Sequence, residues 1–345
     1  MKYSIIVPVF NRPNEVEELL ESLTHQTIQN FEVIIVEDGS QIPCHDICNQ
    51  YKTQLDIHYF MKENSGPGQS RNFGAARAQG EYLLILDSDV VLPDNYLKSV
   101  DNELQREPAD GFGGPDCAHP SFTDTQKAIS YSMTSFFTTG GIRGGKKKLD
   151  KFYPRSFNMG IRKEVYQALG GFSKMRFGED IDFSIRIYKA GYQCRLFPEA
   201  WVWHKRRTDF KKFWRQVFNS GIARINLYKK YPESLKLVHL LPAVFTIGMI
   251  TLSLIAIIGL ILLITTGNHN FLWVSTIPLI PIILYILLLF IDSTLQNKSI
   301  KIGILSIISA YIQLGGYGCG FIQAWWQRCI KNKGEFSAYQ KNFYK

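Results

Sequence analysis

Between Leu237 and Ile291 the sequence contains no Asp, Glu, Lys or Arg. A stretch this long without charge excludes a water-facing helix or linker and points to lipid. Cysteine is sparse and scattered, at positions 44, 48, 117, 194, 319 and 329. Cys44 and Cys48 enclose His45 and Asp46, but no second ligand cluster accompanies them, so they read as ordinary thiols rather than a zinc site. No internal repeat is found. The opening "MKYSIIVPVFNRP" lacks the long apolar core of a signal peptide, because Asn11, Arg12 and Pro13 interrupt it at once. The N-terminal module is therefore expected to stay in the cytoplasm.

The chain has 345 residues, enough for two modules, and its 46% hydrophobic and 13% aromatic content excludes a disordered chain. Its formal charge of +9 is unevenly spread. "HKRRTDFKKFWRQ" (204–216) and "YKKYPESLK" (228–236) sit just before the charge-free stretch. That placement favours a membrane surface over nucleic acid as the partner.

Apolar runs rich in β-branched residues predict strands at 3–10, 31–40, 55–64 and 81–90. Val16, Leu19, Leu20 and Leu23 give 13–26 helical spacing, and Pro13 suits a first helical turn. A Gly-rich loop opens a further helix in 66–79. Strands alternating with helices imply an α/β fold with a mostly parallel sheet, whose ligands bind at the carboxyl ends of the strands. Glu37, Asp38, Asp87 and Asp89 all fall at such ends. Further on, the Gly- and Lys-rich 142–154 reads as a loop, 155–163 as a strand, 170–192 as loop then helix, and 193–205 as two short strands.

Phe210, Phe213, Trp214, Val217, Phe218, Ile222, Ile225 and Tyr228 share one helical stripe, with Lys and Arg on other faces. Residues 209–236 are thus expected to form a basic amphipathic helix in the membrane interface, the alternative being a helix packed on the globular domain. Within 237–327, the segments 240–266, 271–291 and 302–326 are long enough to cross a bilayer. The third is weakened by Gln and a run of Gly. Three spans from a cytoplasmic N-terminus would put the basic tail 328–345 outside, against the positive-inside tendency, so its side stays open.

Three carboxylates crowd into "FGEDIDFSIR": Glu179, Asp180 and Asp182. Acids in a first helical turn complement the helix dipole, and Asp182 can pair with Arg186 at i,i+4. That explains a helix start but not a second acidic cluster, "LDSD", at the end of a strand. Asp87 and Asp89, one residue apart in a turn, can share a hard divalent cation whose shell is completed by substrate phosphates.

"IIVPVFNR", "VEDGS", "NSGPGQSRNFG", "LDSD", "FNMGIRKE", "GGF" and "GEDIDFSIR" occur in the order found in family 2 glycosyltransferases of the GT-A fold, which the chain resembles over roughly 3–208. The hydrophobic C-terminal part looks like that of the family's membrane-bound members. The resemblance implies a GT-A catalytic domain over 1–208. It assigns Asp180 as the base that takes the acceptor's proton, with Glu179 orienting it. It also implies donor binding by Pro8, Phe10, Asp38, Arg71, Asn72 and Asp87, and a metal (Mg or Mn) at Asp89 and His204. Glu37 stands where the family has Asp, so base recognition passes to Asp38. The Gln-x-x-Arg-Trp of processive members is not found, which implies one sugar per acceptor visit.

The expected function is an inverting, metal-dependent transfer from a nucleoside-diphosphate sugar to a lipid-linked or envelope glycan acceptor. It would take place at the cytoplasmic face of the inner membrane, in a multi-pass protein touching membrane lipids. A sugar-phosphate nucleotidyltransferase is the rival; it predicts a Gly-rich phosphate loop near the N-terminus, where "VPVFNRP" is a poor candidate. An inactive membrane scaffold is the other, and the intact Asp87, Asp89 and Asp180 argue against it.

Overall fold

The computed structural model describes residues 2–119, 121–140, 152–175 and 177–335. They form two compact units, one of residues 2–119 and 152–205, the other of residues 121–140 and 206–335.

The first unit is built on a sheet of seven strands in the order β3-β2-β1-β4-β8-β6-β9. Its parallel half comprises β1 (Tyr3–Val9), β2 (Phe31–Asp38), β3 (Asp56–Lys62) and β4 (Tyr82–Leu86). β1, β2 and β4 are buried along their whole length, as strands covered on both faces must be, which is why their sequences run apolar without alternation. Beyond β4, β8 (Asn158–Arg162) runs antiparallel to both β4 and β6 (Gly111–Gly113), and β9 (Cys194–Leu196) is parallel to β6. A second, small sheet joins β5 (Val90–Val91), β10 (Val202–His204) and β7 (Asp116–Cys117). The expected α/β class with a mostly parallel sheet is observed.

Helices cover both faces. One core holds the apolar sides of α1 (Pro13–Thr24), α2 (His45–Tyr51) and α4 (Tyr96–Arg106), including Leu19, Leu20, Leu97 and Val100. Cys44 and Cys48 lie in it with their sulfurs 3.9 Å apart. The other core packs α3 (Pro67–Ala75), α7 (Lys163–Ala168) and α8 (Glu179–Lys189) through Ala75, Val165, Tyr166, Phe183 and Ile187. The 142–154 loop falls mostly outside the described residues.

The second unit consists of helices: α5 (Asp124–Thr134), α6 (Phe136–Thr139), α9 (Phe210–Lys230), α10 (Leu241–Thr266), α11 (Asn270–Thr276), α12 (Leu279–Asn297), α13 (Ile300–Tyr311) and α14 (Tyr317–Trp325). Among the described residues, three helical segments are long and apolar enough to cross a membrane: Leu241–Thr266, Asn270–Asn297 and Ile300–Ile330. The third is continuous through π-helical turns at Ile312–Gly316 and Trp326–Ile330.

Two expectations change here. Residues 121–140 were read as part of the first domain, yet they belong to the helical unit, because Ile129 and Met133 of α5 pack on Phe213 and Val217 of α9. The apolar stripe of α9 is also not left for lipid. Phe218, Ile222 and Ile225 pack against Ala243, Phe321 and Ala324, so the helix is seated on α10 and α14. The glycines that weakened the third segment as a span explain this seat. A Cβ on Gly320 would lie 2.1 Å from the carbonyl oxygen of Phe218, and one on Gly221 would lie 2.2 Å from that of Tyr317. Bare backbone at both positions lets the two helices cross in contact.

Candidate active site

The carboxyl ends of β1, β2 and β4 turn into loops crowded with charge. After β4, Asp87 and Asp89 flank the buried Ser88. The chain then enters β5, whose Val90 is paired with His204 of β10, and this register delivers the imidazole to the acids. Donor atoms of Asp87, Asp89 and His204 all lie within 4.8 Å of one another. His204 Nε2 is 3.3 Å from an Asp89 carboxylate oxygen, and the ring stacks on Phe157 at 4.8 Å. Two carboxylates and one imidazole suit Mg²⁺ or Mn²⁺, oxygen-preferring ions that leave positions for phosphate. The expected pair Asp89 and His204 is therefore brought together, with Asp87 as a third donor.

Arginines thread these acids into one network. Arg71 is 3% exposed, and its guanidinium donates to Asp87 (2.7 Å) and to Glu179 (3.0 Å). It also lies over the Phe172 ring at 5.3 Å. One side chain thus joins the end of β4 to the start of α8. Arg12, just beyond β1, ion-pairs Asp89. Arg155 approaches Asp180 through its Nε at 3.1 Å. Neither Arg12 nor Arg155 was singled out from the sequence; "FNRP" showed Arg12 only as a residue between Asn and Pro, and Arg155 had no pattern to mark it.

Gly178, with φ of +81°, enters α8 from the left-handed region that favours glycine, so the acids fall in the first turn. Glu179 and Asp180 are both 8% exposed. Burial, with the adjacent Asp180 charge, pushes the Glu179 carboxyl up to about 7, while Arg71 opposes the shift. Asp180 accepts from the Ile181 amide at 2.8 Å, leaving its other oxygen to Arg155. Asp182 is fully buried and held by Arg186 at 3.0 Å, and Arg186 also donates to the carbonyls of Leu169 and Gly171. The pair that reads as a surface i,i+4 contact is a buried clasp between α8 and the preceding loop.

Asp38 binds the loop after β3. Its oxygens accept from the amides of Ser65 and Gly66, both at 2.9 Å, and from Lys62 at 2.5 Å. Gly66, at φ of +90°, turns its amide toward that carboxylate. Glu37 is wholly buried and accepts from the Cys44 amide (2.9 Å), Ser40 and the Tyr59 hydroxyl (3.3 Å), a structural post at the end of β2. Pro8 is buried inside β1 and Phe10 is half-buried just past its end.

Asn72, expected to bind the donor, is hydrogen-bonded within the domain. Its amide donates to the Phe172 carbonyl (2.8 Å) and accepts from the Phe172 amide (2.8 Å) and the Tyr166 hydroxyl (2.6 Å). These bonds consume the side chain in fastening α3 to the Gly171–Phe172 turn. Arg71, expected beside the donor, donates to the carboxylates of Asp87 and Glu179. Asn11 was also missed. It holds φ of +53°, donates its amide to Ser40 (2.7 Å), and its side-chain oxygen accepts from the amides of Gln41 (2.7 Å) and Ile42 (3.0 Å). It thereby ties the ends of β1 and β2. A cleft lined by Glu32, His58 and Arg77 opens at the amino ends of the strands, away from this chemistry.

Residues 4–170 match the family model described as Glycosyl transferase family 2. This domain belongs to that family. An uncharacterized glycosyltransferase of Rickettsia felis is 33% identical over 137 residues, 40% of this chain and 22% of that one. An uncharacterized glycosyltransferase of Haemophilus influenzae is 32% identical over 186 residues, 53% of this chain and 61% of that one. The chain thus spans less than two thirds of either relative. A solved structure of the mannosyltransferase PcManGT from Pyrobaculum calidifontis, in complex with GDP-Man and Mn2+, superposes with a TM-score of 0.56 at 15% identity. It covers 95% of this chain and 88% of that one, which extends the likeness of fold beyond the family 2 domain to the helical part.

Proposed function

We propose that the protein is an inverting, metal-dependent glycosyltransferase that moves a sugar from a nucleoside diphosphate to a lipid-linked or envelope glycan acceptor. The observation that carries this reading is the cluster of Asp87, Asp89 and His204 at the end of β4, joined through Arg71 to the acids that open α8. Asp87, Asp89 and His204 would hold Mg²⁺ or Mn²⁺, and such an ion, when bound, neutralises charge growing on a diphosphate leaving group. Asp38, at the end of β2, fixes the loop against which the nucleotide base is expected to rest.

Asp180 takes the proton from the acceptor hydroxyl as that oxygen attacks the sugar carbon opposite the leaving group. Arg155 on one carboxylate oxygen and the Ile181 amide on the other hold that base in one orientation. Glu179, raised to about 7, stands beside Asp180 and is anchored by Arg71, so that crowding two acids does not drive Asp180 out of place. The three membrane-length segments support a membrane-attached enzyme, and the basic residues before the first favour a catalytic unit at the cytoplasmic face of the inner membrane. The absence of a processive motif supports one transfer per acceptor visit.

The test is a donor screen on the purified full chain. GDP-mannose and several UDP-sugars are incubated with Mn²⁺, Mg²⁺ or EDTA, and released nucleoside diphosphate is followed. Release from one donor that stops on chelation is expected. Equal release with and without chelator, or release of pyrophosphate from a sugar phosphate and a nucleoside triphosphate, contradicts the reading.

A further inference from the structure

Residues 128–142, "AISYSMTSFFTTGGI", carry no charged side chain and lie between Lys127 and Arg143. The described part of this stretch belongs to the helical unit. Its contacts with α12 and α13 form a ladder. Asp124 is salt-bridged to Lys301 at 2.9 Å, at the start of α13. The Tyr131 hydroxyl donates to Asp292 at 2.6 Å, and Ser132 meets Ser309 at 2.7 Å. At the far end, the Tyr285 hydroxyl donates to the carbonyl of Phe137 at 3.0 Å. Asp292 is the first charge after the apolar run of α12, so it marks the polar boundary of that span. At ~1.5 Å per residue, Tyr285 lies about 10 Å further into the apolar run, and α6 lies there with it.

The backbone at this depth is provided for without water. Thr138 donates to the carbonyl of Ser132 at 2.6 Å, and Thr139 to that of Ser135 at 3.1 Å. Thr134 donates to Ser130 at 2.9 Å, and the Ser135 hydroxyl accepts from the Phe137 amide at 3.2 Å. Hydrocarbon demands this internal satisfaction of polar backbone; a loop in water does not. The outward side chains are the opposite of polar: Phe136 is 72% exposed and Phe137 40%. Two bare phenylalanines on an uncharged turn would be costly in water and are favourable in acyl chains.

We propose that α5 and α6 form a fourth membrane element, a hairpin arm that dips partway into the leaflet on the side of Asp292 and buries Phe136 and Phe137 among lipid tails. The partner is the bilayer itself. The inference rests on the embedding of α10, α12 and α13, and it is independent of the reaction proposed above. The arm is in sequence an insertion between β7 and β8, so the chain passes into the helical unit twice, at α5 and at α9.

The test is photo-crosslinking of the full chain in vesicles of phosphatidylethanolamine and phosphatidylglycerol. p-Benzoylphenylalanine replaces, one at a time, Phe136, Ile250 and Ile42, and adducts are identified by mass. Ile250 is 55% exposed on α10 and reports a membrane span; Ile42 is 61% exposed on a loop of the first unit and reports water. Lipid adducts at position 136 should come within ~3-fold of those at 250 and exceed those at 42 by ~10-fold, as burial in hydrocarbon requires. Adducts at 250 but only the Ile42 level at 136 overturn the arm and leave the spans standing. Loss of adducts at both 136 and 250 overturns the arm together with the embedding. A protein–protein adduct in place of lipid at 136 assigns the tip to another chain and overturns the proposal.

Discussion

The two units bury polar groups in different ways. At the strand ends of the first unit, polarity is ionic: Arg71, Arg12, Arg155 and Arg186 each hold one or more acids. In the helical unit two fully buried contacts pair neutral hydroxyls, Ser132 with Ser309 and Ser293 with Ser306, both at 2.7 Å, while charge stays near the helix ends, at Asp292 and in the Asp124–Lys301 pair. Buried charges are costly to assemble and costly to break, so they persist where a reaction needs a strong local field. Hydroxyl pairs satisfy backbone and side chains at little cost and let helices approach, which is what packing in lipid needs. The contrast predicts that single substitutions will be felt far more in the first unit than in the second.

The largest effect belongs to Asp180→Asn. The amide keeps the size of the side chain but cannot take the acceptor's proton, so the turnover of transfer should fall by about 10²–10⁴-fold. Nucleotide affinity, measured by titration calorimetry, should stay near wild type. Unchanged turnover would move the base elsewhere in the network. Next is Arg71→Met, which leaves Asp87 and Glu179 without their shared partner. Breaking such a buried pair costs about 3–5 kcal/mol, to be seen as a drop in the thermal unfolding midpoint in detergent. Nucleotide binding should weaken as well, because the two acids lose the tie between β4 and α8.

Asp182→Asn sharpens the contrast from within α8. A surface pair at i,i+4 would be worth about 0.3–0.5 kcal/mol. The buried clasp with Arg186 predicts a loss of about 1–3 kcal/mol, since a charged hydrogen bond is weakened where no water replaces it. Turnover per folded molecule should be nearly unchanged, which separates this acid from Asp180. The smallest effect is expected for Ser132→Ala in the helical unit, about 0.6 kcal/mol or less of stability, as for hydroxyl contacts between membrane helices. A loss as large as that of Arg71→Met would erase the distinction between the units.

The parallel strands and the three membrane-length helices were legible because each rests on a local pattern: unbroken apolar β-branched runs in one case, long apolar stretches nearly free of charge in the other. Asp87, Asp89 and His204 stood out as candidates through their motifs, and the structure brings their donor atoms together through the β5–β10 pairing although 115 positions separate Asp89 from His204. Arg12, Arg155 and Asn11 were not legible, because nothing local distinguishes an arginine that finds an acid across the sheet from one on a surface. The partners of Asn72 were hidden for a related reason: its place beside Arg71 fits a donor contact, while Phe172 and Tyr166, about a hundred residues on, share its hydrogen bonds. The stripe of α9 was read correctly as apolar, but its partner α14 lay behind a run of glycines that resembled a weak span rather than a packing surface.

The central claim is that Asp89 belongs to a cation site that serves a nucleotide. The direct measurement is the depletion of free Mn²⁺, followed by electron paramagnetic resonance, as the full chain is titrated with and without UDP or GDP. The wild type should take up Mn²⁺ more tightly once the matching diphosphate is present, and Asp89→Asn should lose that gain by at least ~10-fold, since an amide is a poor ligand for a hard cation. Equal Mn²⁺ uptake by wild type and Asp89→Asn, with the diphosphate present, would contradict the account.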